Sequence, residues 1–169
     1  IGKELARKAK AFDMKVIGIK NNPADKPDYF DDVAGMDRLH EMLGISDYVV
    51  SLLPLTPATY RLIGADEFAA MKPSAIFLNY SRGNVVDEQA LIHALKNGEI
   101  RGAGLDVFQT EPLPPDSELW KMENVLISPH SSGGVLNLQE KWIDLFERLY
   151  FAYRSGGEMF NVVNLQQRY

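Results

Sequence analysis

The feature that most narrows what this chain can fold into is a regular alternation of short apolar runs with stretches of helical periodicity. Residues 14–19 (MKVIGI), 47–53 (DYVVSLL), 75–80 (AIFLNY), 102–108 (GAGLDVF) and 125–128 (VLIS) are apolar and rich in branched side chains. Polar residues or proline follow them, which predicts buried strands running into loops. Residues 1–12 place Ile1, Leu5, Ala9 and Phe12 at helical spacing with Lys and Arg opposite. Residues 36–43 and 65–71 predict short helices, and a helical turn falls around Leu119. Residues 87–97 (DEQALIHALKN) carry acids in the first turn, gather Ala90, Leu91, Ala94 and Leu95 on one face, and meet Gly98 as a stop. The longest helical pattern is 135–154. Strands and helices alternating at this spacing predict a parallel sheet covered on both faces, the doubly wound α/β (Rossmann-type) architecture.

Composition excludes several classes of function. The 169 residues carry 18 Lys and Arg against 23 Asp and Glu, a net charge of −5, and nucleic-acid binding wants the opposite sign. The chain is 46% hydrophobic, enough for a packed core, yet holds no run near the roughly 18 apolar residues a membrane helix needs. It has no cysteine, hence no disulfide framework and no thiolate metal site; no metal ligand set is predicted, and the cytoplasm is the expected compartment. Opening on Ile1 rather than Met, the chain reads as a piece of something longer.

In a doubly wound sheet, ligands bind beyond the carboxyl ends of the strands, so the polar residues there are the candidates. Arg82 follows the run 75–80, within Ser81-Arg82-Gly83. Its guanidinium fork matches a carboxylate and stabilises negative charge developing on a neighbouring carbonyl; a surface pairing with Asp87 or Glu88 is the alternative. Glu111 follows the run 102–108, and His130 follows 125–128. A carboxylate bonded to one imidazole nitrogen fixes the tautomer and leaves the other nitrogen to exchange protons, so this is a candidate general acid/base pair. Taken singly, Glu111 reads as a solvated loop charge and His130 as structural; the three together read as a site.

Four blocks carry a resemblance: LLPLTPATYRLI at 52–63, FLNYSRGNVVDEQAL at 77–91, GAGLDVFQTEPLP at 102–114 and ISPHSSG at 127–133. In that order they resemble the nicotinamide-binding domain of the D-isomer-specific 2-hydroxyacid dehydrogenases. The resemblance implies hydride transfer between NAD or NADP and a small 2-keto or 2-hydroxy acid. Arg82 would bind the substrate carboxylate and carbonyl, His130 would be the proton donor or acceptor, and Glu111 its partner. Among coenzyme contacts, Ile1-Gly2 looks like the end of the glycine motif, with Gly2 the glycine that lets the helix pack closely on the sheet. Leu53 and Pro54 would lie along the adenosine, Tyr80 and Ser81 near the nicotinamide half, and Asp106 would accept from the nicotinamide carboxamide. The alternative for Asp106 is a buried carboxylate capping a neighbouring loop. Ser132 and Gly133 would close the pocket beside His130, and Tyr80 and Trp142 are candidates to touch substrate. Formate dehydrogenase, a related coenzyme domain, usually replaces the Glu of the pair, so Glu111 argues against it; nucleotide-sensing co-repressors resemble the same family and are the alternative outside catalysis.

Two departures qualify what the resemblance implies. The residue ending the second strand, usually an acid that binds the adenosine ribose in NAD-dependent members, is Lys20 here. A cation suits a 2′-phosphate, so NADPH is expected to serve at least as well as NADH, with Asn21 available for a ribose hydroxyl. The first strand, most of the glycine loop and the substrate domain are not in the sequence, so residues 1–169 are expected to be an incomplete coenzyme domain, inactive alone. Asn161-Val162-Val163-Asn164 resembles the family's closing segment, and 155–169 is expected to return toward the substrate domain. A homodimer is expected, with Trp120, Trp142, Phe146 and Tyr150 as aromatic surface; Phe146 and Tyr150, at i and i+4, are read as core. Reduction is expected to slow as pH rises, and Glu111→Gln to move that fall to lower pH.

Overall fold

The structure is a computed structural model that describes residues 1–21, 23, 24 and 26–165. Two units emerge, Ile1–Pro129 and His130–Tyr169. The first begins with helix α1 (Gly2–Lys10) and strand β1 (Ile17–Ile19), followed by β2 (Asp32–Ala34) and α2 (Leu39–Ile45). Then come β3 (Tyr48–Ser51), α3 (Ala65–Ala70), β4 (Ile76–Asn79), α4 (Glu88–Lys96), β5 (Gly102–Leu105) and β6 (Val125–Ile127). Single 3-10 turns occupy Met36–Arg38, Gly83–Val85 and Glu118–Lys121.

Every ladder is parallel, as the strand–helix alternation requires. The expected sheet, however, appears as two pieces: β1 pairs with β2, and β3-β4-β5-β6 form a four-stranded sheet in sequence order. Among the described residues no ladder joins them. The second strand, β2, was not expected, since three residues beginning with an acid carry no periodicity. It exists because Ile17, Gly18 and Ile19 register against Asp32, Val33 and Ala34.

The four-stranded sheet holds the core. Phe77 on β4 and Phe68 on α3 are fully buried and meet edge to face at 5.4 Å, the favoured aromatic geometry. Leu91, Ala94 and Leu95 of α4 pack into the same cluster with Ala90 against it, as the periodicity of 87–97 predicts, and Ile92 joins them. Asp87 caps that helix by accepting the Gln89 and Ala90 amides at 3.1 and 3.2 Å, and Gly98, at φ 69°, follows its C-terminal end.

Helix α1 differs from expectation. Of its residues only Ala6 is buried, while Ile1, Leu5 and Phe12 of the predicted apolar face are exposed. The neighbouring strand pair is held through charge instead. Asp31 accepts the Val16 amide at 2.6 Å and both of its oxygens take the Lys10 ammonium at 3.1 Å, which together hold its carboxyl below the usual 3.8. Arg38 bridges Asp32 and Glu41.

In the second unit, α5 (Leu138–Ser155) begins after Asn137, whose left-handed backbone (φ 61°) delays the helix relative to the expected start at 135. It ends at Gly156, also left-handed. The core reading of Phe146 and Tyr150 is corrected. They stack on one another at 6.3 Å, but α5 buries no residue, and the two side chains are 67% and 46% exposed. Of the expected return segment, 166–169 lie outside the described residues.

Candidate active site

The carboxyl end of β4 turns on a buried polar network. Asn79, 1% exposed, accepts from the Ser81 amide at 3.1 Å and the Ser81 hydroxyl at 2.7 Å through Oδ1. With the Ser81 proton committed there, Ser51 at the end of β3 donates to Ser81 Oγ across 3.0 Å. The Asn79 Nδ2 group reaches the Arg82 carbonyl at 3.4 Å. One carboxamide thus grips the chain on both sides of residue 81, and a buried polar group satisfied in this way is rigid. Arg82 itself is exposed, with Nη1 donating to the Ser81 carbonyl at 2.7 Å. The pairing with Asp87 or Glu88 is not what forms: the Asp87 carboxylate caps α4 and faces Arg61 at 3.5 Å, and Glu88 accepts the Gln109 amide.

At the adjacent end of β5, Asp106 is fully buried; its amide donates to the Asn79 carbonyl at 3.1 Å and Oδ1 accepts the Ser128 hydroxyl at 2.6 Å. The chain then emerges to Glu111, an exposed residue whose Oε1 accepts the Phe108 amide at 3.0 Å. Arg82 and Glu111 therefore stand on loops leaving neighbouring strands at the same sheet edge. Tyr80 is 41% exposed. His130, Ser132 and Gly133 belong to the second unit, and His130 takes a left-handed backbone at φ 50°, uncommon for any residue but glycine. The sequence did not point to Asn79, Ser51 or Ser128; a polar residue closing an apolar strand was the available signal.

A separate cleft of about 290 Å³ lies between the start of α1 and the end of β1, lined by Ile1, Gly2, Gly18, Lys20 and Phe30 among others. Helix α1 has no side-chain cap at Ile1. Such a helix start favours an anion, and Lys20 adds positive charge at the strand end. A Cβ on Gly2 would meet Leu52 at 3.7 Å, an ordinary contact. Leu53 is half-buried and Pro54 exposed, in a loop clasped by Thr59 donating to the Pro54 carbonyl at 2.6 Å.

A parallel α/β unit with an anion-favouring helix start, and with chemistry-bearing side chains at the strand ends, defines a dinucleotide-binding domain. The D-isomer specific 2-hydroxyacid dehydrogenase NAD binding domain family matches residues 1–132, and the chain belongs to that family. A glyoxylate reductase of Korarchaeum cryptofilum is 39% identical over 166 residues, 97% of this chain and 49% of that protein. Among solved structures, a D-isomer specific 2-hydroxyacid dehydrogenase family protein from Aeromonas salmonicida superposes with a TM-score of 0.88 at 36% identity, covering 97% of this chain and 52% of that one. An NADPH-dependent glyoxylate/hydroxypyruvate reductase from Sinorhizobium meliloti, in complex with NADP and sulfate, gives 0.86 at 31% identity, covering 98% and 53%. The chain spans about half the length of the curated relatives it matches. Among the described residues no helix is long and apolar enough to cross a membrane.

Proposed function

We propose that this chain is the coenzyme-binding part of an NAD(P)-dependent oxidoreductase that interconverts a small 2-keto acid and its D-2-hydroxy acid. The observation that carries the reading is the placement of Arg82, on a turn locked by buried Asn79, beside the Glu111 loop at one sheet edge. The names of the relatives support a glyoxylate-like substrate.

In this reading Arg82 binds the substrate carboxylate as a planar fork and stabilises negative charge growing on the carbonyl oxygen. His130 gives a proton to that oxygen during reduction and takes it back during oxidation. Glu111 is proposed as the carboxylate partner that fixes the imidazole tautomer. Bound nicotinamide supplies or accepts the hydride. The cleft at α1 takes the adenosine side, with the first-turn amides on the pyrophosphate and Leu53 and Pro54 along the adenosine. Tyr80, Ser81 and Asp106 are proposed to serve the nicotinamide half, and Ser132 and Gly133 are proposed as further coenzyme residues. Lys20 at the cleft favours the 2′-phosphate of NADPH.

Residues 1–169 are read as one dinucleotide-binding domain. A cytoplasmic homodimer completes the proposal, supported by the exposed aromatic face of α5. Its mass by sedimentation tests the dimer. The function is tested by initial rates of NADPH and NADH oxidation by the full-length protein with glyoxylate and hydroxypyruvate. Turnover with either supports the reading, and none with any 2-keto acid overturns it.

A further inference from the structure

The two loops that carry Arg82 and Glu111 are fastened to one another by residues outside the expected acid/base set, and the fastening converges on two consecutive residues, Phe108 and Gln109. Gly83 lies so close to the neighbouring loop that a Cβ there would sit 1.8 Å from the Phe108 carbonyl oxygen and 2.4 Å from the Gln109 nitrogen. No side chain fits, because both obstacles are backbone. The Gln109 amide donates to Glu88 Oε2 at 3.1 Å, and the Gln109 carboxamide donates to the Val86 carbonyl at 2.8 Å. On the other side, the Phe108 amide donates to Glu111 itself at 3.0 Å. Residues 108 and 109 are therefore gripped from the Arg82 side of the site, at the 108–109 peptide by Glu88 and Gly83 and at the Gln109 side chain by Val86, and from the other side by Glu111, whose carboxylate takes the Phe108 amide. Glu88 sits in the first turn of α4, a helix anchored by its Asp87 cap and four buried residues, so the grip is referred to the core.

We propose that Glu88 and Gln109 are positioning residues that set the Glu111 carboxylate relative to Arg82, making the spacing of substrate clamp and proton-transfer pair a property of this brace. The proposal rests on the reductase reading for its consequence, but the brace itself is a geometric statement. Misplacement of a reacting group by about 1 Å costs up to roughly a hundredfold in rate. Loosening the brace should therefore lower turnover while leaving coenzyme and substrate binding in place.

The experiment uses the full-length protein with Glu88→Ala, Gln109→Ala and the conservative Glu88→Gln, whose carboxamide oxygen still accepts the Gln109 amide. Hydrogen exchange at the Phe108 and Gln109 amides is measured beside kcat and KM for keto acid and coenzyme. The expected result is faster exchange at those amides in Glu88→Ala and Gln109→Ala. It is accompanied by a kcat lowered about tenfold with both KM values within about twofold, and Glu88→Gln restores exchange and kcat. Unchanged exchange overturns the brace, as does an unchanged kcat in an active enzyme or a loss of stability and binding that Glu88→Gln does not rescue. A full-length protein without keto-acid turnover counts against the reductase reading alone; exchange then decides the brace.

Discussion

The two strand-end regions of the first unit are built on opposite principles. At β4 and β5, the loops are held by buried, largely neutral hydrogen bonds: Asn79, Ser51, Ser81 and Asp106 are each at most 5% exposed. At β1 and β2, where only Ala34 is buried, the supports are ion pairs at the surface, Lys10 with Asp31 and Arg38 with Asp32 and Glu41, with Asp31 and Asp32 at the amino end of β2. Buried networks fix geometry tightly because any unmet partner is costly, whereas exposed ion pairs are screened and individually weak. The difference matches a division of labour in the proposed reading: bond-making groups sit on the rigid edge, and coenzyme selection sits on the adaptable one.

The sharpest way to break the contrast is Gly83→Ala, which drives a methyl into the 108–109 backbone. A stability loss of about 4 kcal/mol or more is expected in denaturant titration, because neither loop can retreat from a core-anchored strand. Next comes Asn79→Ala, which strands the Ser81 donors in a buried site; a loss of about 2–3 kcal/mol is expected by the same measurement. On the other edge, Asp31→Asn should produce a smaller change confined to β1 and β2, read as faster hydrogen exchange at the Val16 amide, and the difference from the parent should shrink as salt screens the Lys10–Asp31 pair. Because Asp31 titrates below its usual range in the folded chain, its contribution is present above the unfolded value and lost as pH falls through the lowered one.

The smallest effect belongs to Glu67, which is exposed to both influences. Desolvation raises its carboxyl most, but the His40 imidazole at 3.0 Å and the Gly64 amide at 3.0 Å outweigh it and leave the group below its ordinary 4.5. Glu67→Gln should cost about 0.5 kcal/mol or less at neutral pH, since His40 is mostly exposed. The cost should vanish as pH falls through the lowered value, which a pair of acid-unfolding curves will show.

Much of the rigid edge was legible in the sequence. Strands β3 to β6 lie in the apolar runs, α4 carries the acids and apolar face that specify it, and Arg82 and Glu111 occupy loops where a parallel sheet exposes ligand groups. The adaptable edge was less legible: β2 is three residues long and exists only through pairing, and α1 has an apolar face that this chain leaves in solvent. Phe146 and Tyr150 show the same limit, since i, i+4 spacing says that two rings meet and not what covers them. The brace at Gln109 was invisible for a different reason, because its partners, Gly83, Val86 and Glu88, are brought to it by the β4–β5 register.

In the proposed reading the β4–β5 edge performs the chemistry and the β1 cleft selects the coenzyme. Steady-state kinetics of the full-length protein with Arg82→Ala and Lys20→Ala test it directly. Arg82→Ala is expected to lower kcat/KM for the keto acid by about a hundredfold or more with coenzyme affinity unchanged, as loss of a charge-stabilising donor does. Lys20→Ala is expected to weaken NADPH binding while kcat holds. An Arg82→Ala enzyme within a few-fold of the parent, or one whose main loss is in coenzyme affinity, would contradict that reading.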